Sequence, residues 1–150
     1  MRLRSQSRRA ASAVEFGLVA PITLLLLLGL AIGGLGMFRY QQCAFLAREG
    51  SRWASVHGAD YAQETGKPAA TPADVYSQVI AANATSLDMS RLTYSVTWNS
   101  DNKPSHTATV NGKTVQVSNT VTVTITYQWL PESFLGEMTL SSTSVSVMSY

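Results

Sequence analysis

From Phe16 to Phe38 the chain reads FGLVAPITLLLLLGLAIGGLGMF, an apolar run without a single charged side chain. As a helix rising 1.5 Å per residue it is about 34 Å long, enough to cross a hydrocarbon core of roughly 30 Å. In lipid every backbone N–H and C=O must be bonded within the segment, so a helix is the only form a lone span can take. Glu15 stands directly before the run, and the basic cluster Arg2, Arg4, Arg8 and Arg9 stands before that. Everything downstream is placed by this arrangement.

The formal charge of +2 belongs to the leader: four of the eleven basic residues lie in the first nine positions, and the rest of the chain is slightly acidic. Such a distribution is a topology signal, not a nucleic-acid footprint, and no nucleic-acid partner is expected. Basic residues stay on the cytoplasmic side, which predicts a cytoplasmic N-terminus and an extracytoplasmic C-terminal domain. A cleaved secretory signal is the rival reading of residues 1–38. Against it, the apolar stretch extends on both sides of the Ile22–Ile32 core, and no Ala-x-Ala site follows it. With one cysteine, Cys43, no intrachain disulfide can form; a small buried thiol is expected there.

Within the span, Pro21 removes one helix hydrogen bond, and Gly29 and Gly33 form a small-xxx-small spacing that allows another helix to approach closely. Glu15 at the hydrocarbon boundary is either an interfacial carboxylate facing water or a functional group. The helix continues past Phe38: Leu46, Ala47, Gly50 and Trp53 fall on one side, while Arg39, Arg48, Glu49 and Arg52 supply the polar surface. Residues 57–72 read as a loop. Thr71, Pro72 and Asp74 open a second helix with Val75, Val79, Ile80 and Leu87 on its apolar face. The remainder alternates as β-structure: Leu92–Trp98, a hairpin about Asn111-Gly112, a long strand from Val121 to Trp129, a loop at Phe134-Leu135-Gly136, and a last strand through Thr143, Val145 and Val147. The expected class is α+β, a long N-terminal transmembrane helix leading into a small outer domain whose second helix packs on an antiparallel sheet. The organisation reads as a basic cytoplasmic leader (1–10), a transmembrane and stalk helix (11–56) and an extracytoplasmic domain (57–150).

Catalytic groups are sparse. His57 and His106 have no His, Cys or carboxylate at metal-ligand spacing, no glycine-rich phosphate loop lies outside the span, and no serine sits in a Gly-x-Ser-x-Gly turn. No catalytic constellation, metal site or cofactor is expected.

Two stretches carry a family resemblance. The first is Arg8-Arg9-Ala10-Ala11-Ser12-Ala13-Val14-Glu15-Phe16, followed by Ala20-Pro21 and the leucine run. The second is Ala47-Arg48-Glu49-Gly50-Ser51-Arg52-Trp53-Ala54. Together they resemble the TadE-like (TadE/TadF) pseudopilins of tight-adherence, Flp-type pilus systems, over about the first third of the chain. That resemblance implies removal of the leader by a membrane prepilin peptidase between Ala10 and Ala11. Glu15 and Phe16 would then become the fifth and sixth mature residues. The residue before the cut is Ala10, where the family usually has glycine. It further implies that Glu15 serves recognition by the peptidase or pairs with the new amino terminus of a neighbouring subunit. The implied partners are other pilins or pseudopilins, inner-membrane pilus assembly proteins and lipid, and the implied location is the bacterial inner membrane. Two other classes compete with a pseudopilin: a membrane-anchored binding or sensor domain on a passive tether, and an exported hydrolase with a pocket at His57 or His106.

Overall fold

The computed structural model describes residues 4–131 and 136–150, with side chains from Ser12 onward. The expected loop at Phe134 and Leu135 lies outside the described residues. The chain divides into two units, Met1–Met37 and Phe38–Tyr150.

The first unit is one helix, the N-terminal part of α1 (Arg4–Ser55). The basic leader is helical in its backbone from Arg4 on. Its apolar side chains are open all round; Phe16 is 74% exposed and Leu30 77%. A helix apolar on every side is stable only where that surface meets lipid or other helices. Pro21 lies inside it. The ring of a helical proline crowds the carbonyl four residues back, and here that residue is Gly17, beside which there is open space. Thr23 Oγ1 donates to the Val19 carbonyl at 3.0 Å.

The second unit is built on the remainder of α1. Cys43, Leu46, Ala47, Gly50, Ser51 and Ala54 are buried, the spacing of one helix face. Most are small, and this sets how closely the helix approaches the sheet. A Cβ on Gly50 would lie 3.2 Å from Val123 Cγ1 and 3.4 Å from Val75 Cγ1. Residues 57–72, read as loop, contain a second helix, α2 (Ala59–Thr65), which ends at Gly66 in the left-handed conformation (φ 70°). The two glycines that mark the segment as a loop in sequence are this helix's two flanks.

The helix predicted at Thr71 is present. α3 (Pro72–Val75) runs through a π-helical stretch (Tyr76–Ile80) into α4 (Ala81–Asn83). Thr71 and Asp74 form a reciprocal capping box. The wider π turn brings Val79 and Ile80, neighbours in sequence, both into the core with Val75.

Five strands follow: β1 (Leu92–Trp98), β2 (Ser105–Val110), β3 (Lys113–Ser118), β4 (Thr120–Trp129) and β5 (Met138–Val147). They do not form one sheet. β1, β4 and β5 make an antiparallel sheet in the order β1-β4-β5, and β2-β3 is a separate hairpin. Its turn has both Asn111 (φ 52°) and Gly112 (φ 76°) in the left-handed region, as a two-residue hairpin turn requires. On β4, Val121, Val123, Ile125 and Tyr127 are buried, each aliphatic side chain contributing about 1.5–3 kcal/mol. β5 differs from what its valines indicate. The register pairs Val145 with Thr122 and Val147 with Thr120, on the face opposite the core, so these valines are 59% and 58% exposed. Ser144 and Ser146 face inward instead. Ser51 of α1 hydrogen-bonds both, at 2.9 and 3.0 Å, so hydroxyls meet where the helix runs too close for larger side chains.

Candidate functional site

The segment carrying the residues expected to serve processing and assembly lies on α1. Ala10 and Ala11 sit on helical backbone, with side chains outside the described residues. Glu15 and Phe16 are exposed on the same helix. So are Gly29 and Gly33, where an added Cβ would meet no atom within 4 Å. Glu15 therefore stands where lipid headgroups, a peptidase or a neighbouring subunit could meet it.

The second stretch divides by side. Ala47, Gly50, Ser51 and Ala54 are buried against the sheet and α3, whereas Arg48 and Arg52 are exposed and Glu49 is half-buried. Arg52 pairs with Glu49 at 3.7 Å, an exposed pair worth at most a few tenths of a kcal/mol. The small residues of this stretch are thus packing residues, and its charges form an outward stripe. One turn earlier, Cys43 is fully buried, and burial pushes its thiol up, partly offset by the Arg39 guanidinium.

The histidines occupy two different settings. His57 stacks on Trp53 with centroids 4.0 Å apart, is tilted against Tyr61 at 4.6 Å, and its Nδ1 lies 2.7 Å from the Trp53 carbonyl. With Lys67, Asp74 and Gln78 these rings line an open concavity of about 400 Å³. Asp74 is held by the cap: Thr71 donates to it from both backbone N–H and hydroxyl, which keeps its carboxyl below the ordinary 3.8. His57 is thus a stacked ring tethered through Nδ1. His106 is a structural partner: its Nδ1 meets Asn119 Oδ1.

Asn119 is the residue the sequence did not reveal. It is fully buried, and its Nδ2 donates to Asp101 Oδ1 at 2.7 Å and to the Lys103 carbonyl at 2.9 Å. Its backbone N–H donates to Pro104 and its carbonyl accepts from Met148, both at 2.8 Å. One residue thereby ties the 99–104 loop, the base of the hairpin and the end of β5. A single asparagine between two strands reads as a turn residue, and nothing local distinguishes it.

Comparison with known proteins gives a family match over part of the chain. No curated protein and no solved structure matches the chain. Residues 10–52 match the model of a family described as TadE-like protein. The matched span begins at Ala10 and ends within the Ala47–Ala54 stretch, so it takes in most of both segments that carry the resemblance, and residues 10–52 are similar to TadE-like proteins.

Proposed function

We propose that this chain is a pseudopilin or minor pilin that takes part in assembling a tight-adherence, Flp-type pilus or a related secretion apparatus. It acts by assembly, not by catalysis. The carrying observation is the TadE-like match over residues 10–52, which covers a helix long and apolar enough to cross a membrane and exposed around its whole circumference. A surface of that kind needs lipid before assembly and other helices after it. In this reading the span crosses the inner membrane once with its basic end in the cytoplasm, and a prepilin peptidase cuts between Ala10 and Ala11. Glu15 then pairs with the free amino terminus of a neighbouring subunit. Such a pair removes the cost of leaving either charge alone at the edge of hydrocarbon and sets helix register.

The test is the N-terminal sequence of protein isolated from native membranes, in wild type and in Glu15→Ala. A wild-type start at Ala11, with processing or assembly lost in the variant, is the expected result. A start at Met1 in both, with assembly intact in the variant, overturns the reading. The concavity at Trp53, His57 and Tyr61 favours a second one, an anchored binding domain whose span is a passive tether. Indifference to Glu15→Ala is its signature.

A further inference from the structure

The second unit has two ends, and contacts within it fix which is which. At one end the Ser55 carbonyl of α1 accepts from the amides of Ser149 and Tyr150. Moving back along α1, Ser51 meets Ser144 and Ser146, and Gln42 hydrogen-bonds Ser86. Ser86 leads into the 3₁₀ turn Met89–Arg91, which packs beside β4 and opens β1 at Leu92, opposite Tyr127. The Gln42 end of α1 therefore lies at the end of the sheet that carries Trp129 and its cross-strand partner Met138. The apolar run ends at Phe38, one turn or about 6 Å before Gln42.

This end of the sheet exposes apolar side chains that the packing of the unit does not need. Leu130 is 44% exposed and Met138 50%, with Trp129 half-buried beside them and Phe38 and Tyr40 exposed on α1. Apolar and aromatic side chains gathered at the level where a chain leaves the hydrocarbon are the composition of a membrane–water interface.

We propose that the Trp129–Met138 end of the outer domain rests on the bilayer, with Leu130 and Met138 inserted among the lipid headgroups and upper acyl chains. The partner is a lipid surface, continuous with the span itself. The proposal rests on the reading of residues 16–38 as a membrane span. Its consequence is a domain held against the membrane by a second contact instead of swinging on a single helix.

The experiment uses the full chain reconstituted in phosphatidylcholine–phosphatidylglycerol vesicles. An environment-sensitive nitrobenzoxadiazole label is placed at Leu130→Cys, at Met138→Cys or, as reference, at Val110→Cys near the hairpin tip. Cys43 is buried and stays unlabelled. With lipids brominated in the upper acyl chain, the labels at 130 and 138 should be quenched at least twofold and blue-shifted relative to water, with no effect at 110. Chain that floats with the vesicles but shows the 130 and 138 labels as unquenched as the 110 label overturns the proposal. A blue shift without quenching does the same, because it assigns the patch to protein. Chain that fails to float with vesicles removes the membrane reading itself, and the proposal with it.

Discussion

Gly58 has the least room of the glycines described in the second unit. A Cβ there would lie 2.1 Å from the Tyr150 carbonyl oxygen and 2.3 Å from that of Asn102. Both are backbone atoms, so no side-chain rotation relieves the clash. Gly58→Ala should destabilise the domain by roughly 1–3 kcal/mol, read as a lower urea midpoint by circular dichroism of the full chain in detergent. Asn119→Ala removes a fully buried donor and its hydrogen bonds to Asp101 and Lys103 on the 99–104 loop, and should also cost roughly 1–3 kcal/mol. His106 loses its partner in that variant, so its ring proton chemical shifts should change at a fixed pH, while those of His57 stay. Neither role is visible in the sequence. Gly58 reads as loop punctuation, and the atoms it must admit come from residues far along the chain.

Among the elements, those governed by local chemistry were legible and those governed by distant packing were not. The cap at Thr71 and the Asn111-Gly112 turn follow from neighbouring residues alone, and both are present. The phase of β5 depends on its partner: Val145 and Val147 face outward because β4 presents threonines on that side, and the inward serines suit a helix made of small residues. The buried Asn119 stands between β3 and β4, where the chain passes from the hairpin to the sheet. Thr71→Ala should lower stability by about 1 kcal/mol through loss of the cap. The same cap gives a pH dependence. The Asp74 and Asp88 carboxyls are held below their ordinary 3.8 by hydrogen bonds from Thr71 and Ser90, respectively. A carboxyl depressed in the folded state adds stability that is present above its unfolded value and lost as the pH falls through the folded one. Thermal midpoints should therefore decline below about pH 4, and Asp74→Asn should flatten part of that decline.

At the scale of the whole molecule, the apolar run anticipated the long helix, and the Thr71 helix start with the alternating segments after it anticipated an α+β domain. What they could not supply is the surface of that domain, which depends on strand register. The orientation they imply is open to direct measurement. In intact cells, Val110→Cys should react with a membrane-impermeant maleimide from outside and Ser12→Cys, which stays in the chain after a cut between Ala10 and Ala11, should not, whereas Cys43 stays unreactive through burial. The close seating of α1 also bears on mechanics. Ser51 and Ser55 of α1 meet Ser144, Ser146 and Ser149 in the same chain order, so this stretch of helix runs alongside β5. A pull applied to this stretch of α1 along its own axis, as the proposed assembly would require, loads that seam. It shears the seam at Gly50, Ser51 and Ser55 as a whole, because the contacts stand abreast of the force instead of parting one at a time. Resistance to such a pull is a matter of unfolding rate, not of equilibrium stability. A bulkier residue at Gly50 would spread the seam and shorten the time the domain survives under tension.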